Sequence, residues 1–368
     1  MREQNIFILG GYGAAGGRIA RLLLAHSTVN VVVGGHRLDK AKAFADALNT
    51  EFGADRARAV FADASDTETL KEAAAAARMI VVASTTESMS LALAKRCLDA
   101  GVDYLDMYYG AGMWEKMLPL APAIQASGRL FLTQGGFHPG MPAVMVRHAA
   151  PQFTRLKSAS IAMVLNNRLE SVEIAAALVR VMKDYRAQVY EGGRWRKAAY
   201  RDTIRVDFSP HLRRRQCYPM DLDELHTLPD SLGLERLGCY VAGFNRFVDW
   251  VVFPVMMLLG RFRMFEAPLA GLFYWGTNTF FRPPPEVILV IEAEGEADGK
   301  GHQVRVSITH EDAYDLTAIP VAACLLQYVD GLLPASGLHF MSHAVDPVRL
   351  YSDMQKMGVA ISEEMRPL

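Results

Sequence analysis

The sequence lacks the marks of several large protein classes. Its four cysteines, Cys97, Cys217, Cys239 and Cys324, have no CxxC or other metal-ligand spacing. They therefore read as reduced thiols of an intracellular protein rather than a disulfide framework. A formal net charge of −1 excludes the electrostatic footprint a nucleic acid needs. Long apolar runs are also missing: the longest uncharged one, Trp250 to Leu259, contains Pro254 and is about half the roughly 20 residues a spanning helix requires. Nothing at the N-terminus resembles a signal peptide, and a cytoplasmic location is expected. Of the ten histidines only His339 and His343 lie close together. No acidic cluster accompanies them, and no metal is expected.

What the chain does have is Asn5 to Leu24, NIFILGGYGAAGGRIARLLL. Its first residues read as a buried strand, its glycines as a tight turn, and Gly17 onward as a helix with Ile19, Leu22 and Leu23 on one face. That order makes a phosphate cradle. Gly11 is expected to take the unusual φ of the turn, Gly13 to let the backbone approach a pyrophosphate, and Gly16 to let the helix pack closely. The helix start then offers its N–H groups and the positive end of its dipole to the phosphates. The flanks are correct on both sides, as the motif requires.

Strands alternate with helices through residue 136, which predicts a doubly wound parallel sheet in an α/β fold. A second run, Val29 to Gly35, ends in Gly34, Gly35, His36 and Arg37 where an NAD-specific site would place a carboxylate. A guanidinium there can clamp a 2′-phosphate, so NADP is favoured over NAD; alternatively Arg37 only starts the following helix. Asp63, at the end of a third strand over Val60 to Ala62, can accept from the adenine amino group or cap the next helix. A fourth strand, Arg78 to Ala83, ends in Ser84 and Thr85, which fall beside the nicotinamide end of a dinucleotide. A fifth, Val102 to Leu105, ends in Asp106, Tyr108 and Tyr109. After a sixth, Arg129 to Leu132, the GGFHPGMP punctuation at 135–142 carries His138. Asp106, Tyr108, Tyr109 and His138 are the candidate proton carriers for a hydride transfer. Each has a plainer role open to it: a cap for Asp106, packing for the tyrosines, satisfaction of the turn for His138.

A boundary is placed at 136/137. Residues 137–345 read as a second α+β domain whose strands are joined by hairpins, hence a mostly antiparallel sheet, and the helix at about 346–368 is expected to return to the first domain. Residues 247–281 are rich in aromatic, Leu and Met side chains. Buried core or dimer interface, a wall for a greasy substrate, and a peripheral membrane contact are all open readings. The basic run Arg213 to Arg215 is expected to be a solvated turn.

With these elements placed, the chain resembles the saccharopine dehydrogenase-like oxidoreductases. The likeness rests on ILGGYGAAGGRIARLL, VVVGGHRLDKAKAFADAL, GVDYLDMYYG, GGFHPGMPAVMVRHA and YDLTAIPVAACLLQYVDG. It implies a Rossmann domain, a second domain on a mostly antiparallel sheet, an active site in the cleft between them, an NAD(P) cofactor, a small-molecule substrate and a homodimer. By position it assigns Gly11, Tyr12, Gly13, Ala14, Ala15 and Gly16 to the pyrophosphate, His36 and Arg37 to the adenosine ribose side, Asp63 to the adenine, and Ser84 with Thr85 to the nicotinamide side. The expected activity is NADP-dependent hydride transfer to or from a C=N or C=C bond. The alternatives are reduction of a lipid-like enoyl intermediate and a non-catalytic nucleotide-binding protein at a membrane or partner.

Overall fold

The computed structural model describes residues 5–75, 77–84, 89–108, 112–183, 187–259 and 262–368. Its strands are β1 Asn5–Leu9, β2 Asn30–Gly35, β3 Ala57–Phe61, β4 Met79–Val82, β5 Asp103–Asp106, β6 Leu130–Thr133, β7 Arg155–Asn166 and β8 Gln188–Glu191. They continue as β9 Arg194–Lys197, β10 Ile204–Asp207, β11 Arg214–Met220, β12 Arg236–Ala242, β13 Glu286–Ala297, β14 Lys300–His310, β15 Gly337–Phe340 and β16 Ala360–Pro367. The chain divides into two compact units, the first running to Val144 and resuming over Tyr314–Gly358, the second made of Met145–Ala313 and Val359–Leu368.

The first unit holds a parallel sheet in the order β15-β6-β5-β4-β1-β2-β3, the doubly wound arrangement. Its strands are short apolar runs because both faces are covered. One row of side chains crosses five strands in register, Val32, Phe7, Ile80, Tyr104 and Phe131, and all five are buried. Tyr104 and Phe131 stack at 5.2 Å within it. Leu93, Ala94 and Cys97 of the helix Ser90–Asp99 pack against this row.

Two expectations about the chain path change here. The unit boundaries fall at 144/145 and 313/314, not at 136/137 and 345/346. The helix Ala313–Val329 is buried along nearly its whole length from Leu316 to Tyr328, and it is tied into the first unit: the Tyr328 hydroxyl donates to Asp103 Oδ2 at 2.6 Å, and Asp315 pairs with Arg18 at 2.6 Å. β15 then adds a seventh strand beside β6. The last stretch is also not all helix. After Pro347–Lys356, capped by the Asp346 carboxylate on Arg349 N–H, the chain continues as β16 and pairs antiparallel with β14 in the second unit.

The second unit is built on a mixed, mostly antiparallel sheet in the order β10-β11-β12-β7-β13-β14-β16, with the β8–β9 hairpin beside β12. The one parallel pair on this path is β12 with β7. Gly192 and Gly193, both at positive φ, form the tip of the β8–β9 hairpin as the sequence predicts. The basic run is only partly a turn: Arg213 sits there at φ 55, whereas Arg214 and Arg215 open β11.

The apolar segment after Asn245 folds as helices with two characters. Val248, Val252, Met256, Leu269, Ala270 and Phe273 form a core with Ala175 and Val179 of the helix Val172–Lys183. On the outside Trp250 is 71%, Leu258 66% and Met264 77% exposed. Among the described residues no helix is long and apolar enough to cross a membrane.

Candidate functional site

β1 lies between β2 and β4, at the point where the sheet order reverses. In open α/β sheets the ligand crevice opens at the carboxyl ends of the strands there. The turn Gly10–Gly13 occupies that position and is fixed from two sides. Gly10 and Gly11 N–H donate to Gly34 O at the end of β2, at 2.9 and 3.2 Å. A Cβ on Gly10 would come within 3.0 Å of Ser84 Cβ at the end of β4. The residue with the left-handed conformation is Gly10, at φ +81, and not Gly11 as expected. Gly11 is required for room: a Cβ there would approach Ile8 O at 2.8 Å.

The helix behind the turn starts at Ala14, one turn earlier than the sequence reading placed it, with Gly13 as its N-cap. Gly13 supplies no side-chain cap, so the first-turn N–H groups of Ala14, Ala15 and Gly16 face outward with the dipole behind them. A Cβ on Gly16 would overlap the carbonyl of Gly10. Turn and helix can therefore approach this closely only with glycine there. These residues fit a dinucleotide diphosphate: amide donors, a positive helix end, and glycine where any side chain would collide.

On the adenosine side, the two glycines ending β2 make room for two rings. A Cβ on Gly34 would overlap Phe7, and one on Gly35 would overlap Tyr12. Tyr12 lies across Gly35, its hydroxyl accepting from Arg37 N–H at 3.3 Å, with the Arg37 guanidinium 6.0 Å from the ring centroid. His36 and Arg37 are exposed at this edge. Asp63 faces the same edge but does not cap the helix. Its carboxylate accepts from Ser65 N–H at 2.8 Å and Ser65 Oγ at 2.7 Å, whereas Asp66 caps the helix through Glu68 N–H. Those Ser65 hydrogen bonds, followed by the charges of His36 and Arg96, hold Asp63 below the usual carboxylate range.

The candidate proton carriers separate into different environments. Asp106 is fully buried, and its carboxyl accepts from Thr133 Oγ1 at 2.9 and 3.1 Å, from Gln134 N–H at 3.1 Å and from Tyr108 N–H at 3.2 Å. It ties the end of β5 to the end of β6. Burial pushes it up to about 6 against the pull of those donors. Tyr108 is buried beside it. His138 follows in a loop closed on itself: Gly136 and Gly140 have φ +145 and +121, and a Cβ on Gly140 would overlap Gly136 O. Burial lowers the His138 imidazole to about 4, so it is neutral at pH 7 and its protonated form is disfavoured there. Tyr109 and Thr85 lie outside the described residues.

The histidine pair is split, His339 on β15 and His343 in the short helix Met341–Ala344. Among the described residues no three His, Cys, Asp or Glu side chains gather as a metal site would require. All four cysteines are buried thiols outside any disulfide, and burial pushes Cys97 and Cys217 to about 12. Gly10, Gly34 and Gly35 are the positions that the sequence reading did not single out for the cradle's shape. The consecutive pairs Gly10–Gly11 and Gly34–Gly35 were the available signal.

The architecture and this cradle define a two-unit α/β protein with a Rossmann-type nucleotide site. Residues 6–132 match the family model described as the saccharopine dehydrogenase NADP binding domain. The resemblance read from the sequence is borne out. No curated protein matches the sequence. Among solved structures, the apo histidine-tagged saccharopine dehydrogenase (L-Glu forming) of Saccharomyces cerevisiae is similar with a TM-score of 0.68 at 14% identity, over 99% of this chain and 100% of that one. The DAP dehydrogenase of C. glutamicum, in complex with DAP, gives 0.50 at 13% identity over 97% and 100%. These likenesses show a shared fold.

Proposed function

We propose that the chain is an NADP-dependent oxidoreductase that moves a hydride to or from a polarised C=N or C=C bond of a small molecule. The observation that carries this reading is the glycine cradle at the sheet's reversal point, next to an adenosine edge that presents Arg37 and His36 where an NAD site would present a carboxylate. The match of residues 6–132 to an NADP binding domain and the likeness in fold to two dehydrogenases support it. When bound, the nicotinamide supplies or accepts the hydride. The first-turn amides would hold the diphosphate and Arg37 would meet the 2′-phosphate, while Ser84 lies where β4 meets the turn. His138 would take the proton released when the substrate is oxidised and return it in the reverse direction, once bound substrate offsets the burial that disfavours its protonated form. Asp106 positions the β5 and β6 ends through its hydrogen bonds. A cytoplasmic homodimer belongs to the same proposal, and sedimentation velocity tests the dimer.

Fluorescence titration of the purified protein is expected to show saturable NADPH binding, tighter than NADH. Absence of binding for either nucleotide would end the reading. Arg37→Glu is expected to weaken NADPH at least tenfold and NADH little; equal weakening removes the cofactor preference.

A second reading concerns residues 247–281, proposed as a peripheral contact with a membrane surface. Trp250, Leu258, Phe262, Met264 and Trp275 project apolar area into solvent, while Arg246 and Arg282 are exposed at the segment's two ends. An apolar face with flanking cations suits an interfacial helix pair. Flotation with anionic liposomes tests it: wild type should float, a variant with Trp250, Leu258 and Met264 changed to Ser should not, and a wild type that stays at the bottom refutes the contact.

A further inference from the structure

The second unit contains a cavity of about 310 Å³ that the proposed reaction does not use. Its floor is the sheet where β12, β7 and β13 run side by side. The register sets Arg236 beside Ser158 and Ser158 beside Glu294; one step on, Gly238 lies beside Ser160 and Ser160 beside Glu292. Residues two apart on a strand share a face, so these two rows form one surface. Small residues occupy its middle, with a cation at one end and a carboxylate at the other. The Cα atoms of Arg236 and Glu294 are two strand spacings apart, about 10 Å, which leaves room for a small molecule between their side chains. Arg196, Arg201 and Asp202 line the cavity from the β8–β9 hairpin and the turn after it.

Most of the charge here is already satisfied. Arg196 forks between Glu191 at 2.6 Å and Asp202 at 2.8 Å, and Glu292 pairs with Arg305. Arg201 and Arg236 form no close ion pair among the described residues, although the Asp202 charge lies within reach of Arg201. Among the described residues Glu294 accepts from neutral donors alone, Gln303 Nε2 at 3.2 Å and Ser158 Oγ at 3.5 Å. Two guanidiniums and one carboxylate therefore line the cavity without a close ion pair among the described residues. A simple anion would meet the Glu294 charge, and a simple amine would leave both guanidiniums unmatched. A molecule carrying both signs satisfies all three groups.

We propose that this cavity binds a small zwitterion of the α-amino acid type. Arg201 and Arg236 fork its carboxylate, and Glu294 with the Ser158 hydroxyl holds its ammonium. The site is independent of the nucleotide cradle, and its test does not depend on NADPH binding.

Isothermal titration calorimetry of the full chain with each of the common α-amino acids, and with succinate, 1,4-diaminobutane and inorganic phosphate as single-charge-type probes, decides the matter. At least one amino acid should bind saturably, and more tightly than any of the three controls. Arg236→Gln and Glu294→Gln should each weaken it tenfold or more with an unchanged far-UV spectrum and melting temperature. Ser160→Val, which fills the floor without touching a charge, should abolish it. The proposal is overturned if no amino acid binds, if succinate or phosphate binds as tightly, or if binding survives Ser160→Val and whichever charge variants fold.

Discussion

The Tyr12 hydroxyl accepts the Arg37 backbone N–H at 3.3 Å, which fixes the start of the helix after β2 relative to the phosphate turn. Gly35 makes this possible, since any side chain there would overlap the Tyr12 ring. Gly35→Ala is therefore expected to displace Tyr12, free Arg37 and cost NADPH about tenfold in affinity, roughly 1.4 kcal/mol. Tyr12→Phe keeps the ring and loses only the acceptor, so its effect should be smaller. Fluorescence titrations of both variants with NADPH and NADH check the order.

Asp106 gives a pH signature. Burial raises its carboxyl from 3.8 to about 6 in the folded protein. The folded state thus holds a proton that the unfolded state has already released between those two values. Stability from this group is complete below pH 4 and is lost as pH rises to about 6. Asp106→Asn keeps an oxygen for Gln134 N–H and Tyr108 N–H but cannot ionise. Urea denaturation at pH 4.5 and 7.5 should show the variant gaining on wild type by an amount on the order of 1–3 kcal/mol. A difference independent of pH would contradict the assigned ionisation.

The apolar segment has two faces, and substitutions should separate them. Phe273 is buried against Phe244 at 5.1 Å and Phe253 at 6.0 Å, so Phe273→Ala should cost about 3–5 kcal/mol. Trp250 is 71% exposed, and Trp250→Ser should change stability by roughly 0.5 kcal/mol or less. Thermal melts of the two variants check the contrast.

The parallel sheet was legible because its strands are the apolar, β-branched runs VVVGG and MIVV, whose burial on both faces leaves little else they can be. The cradle was legible from its flanking strand and helix. Assigning the left-handed residue was not, since Gly10 and Gly11 are both glycine and only the folded chain, which sets Gly10 against Ser84 and Gly11 against Ile8 O, distinguishes them. β15 is only four residues behind the Pro- and Gly-containing turn at 330–337, and its place in the sheet is set by a partner strand some 200 positions earlier. β16, AISEEMRP, is charged and almost wholly exposed, and its extended form comes from pairing with β14. The roles of Gly34 and Gly35 depend on rings from residues 7 and 12, a relationship that only the folded chain contains.

The first unit draws its sheet from two stretches of chain separated by residues 145–313. Residues 145–313 leave the ribosome before the helix at 313–329 and the strand beside β6 exist. At roughly 5–20 residues per second, the nascent nucleotide-binding half waits on the order of ten seconds or more with the outer edge of β6 bare. That interval is when the newborn protein most needs a chaperone, and a premature stop after 313 would make it permanent.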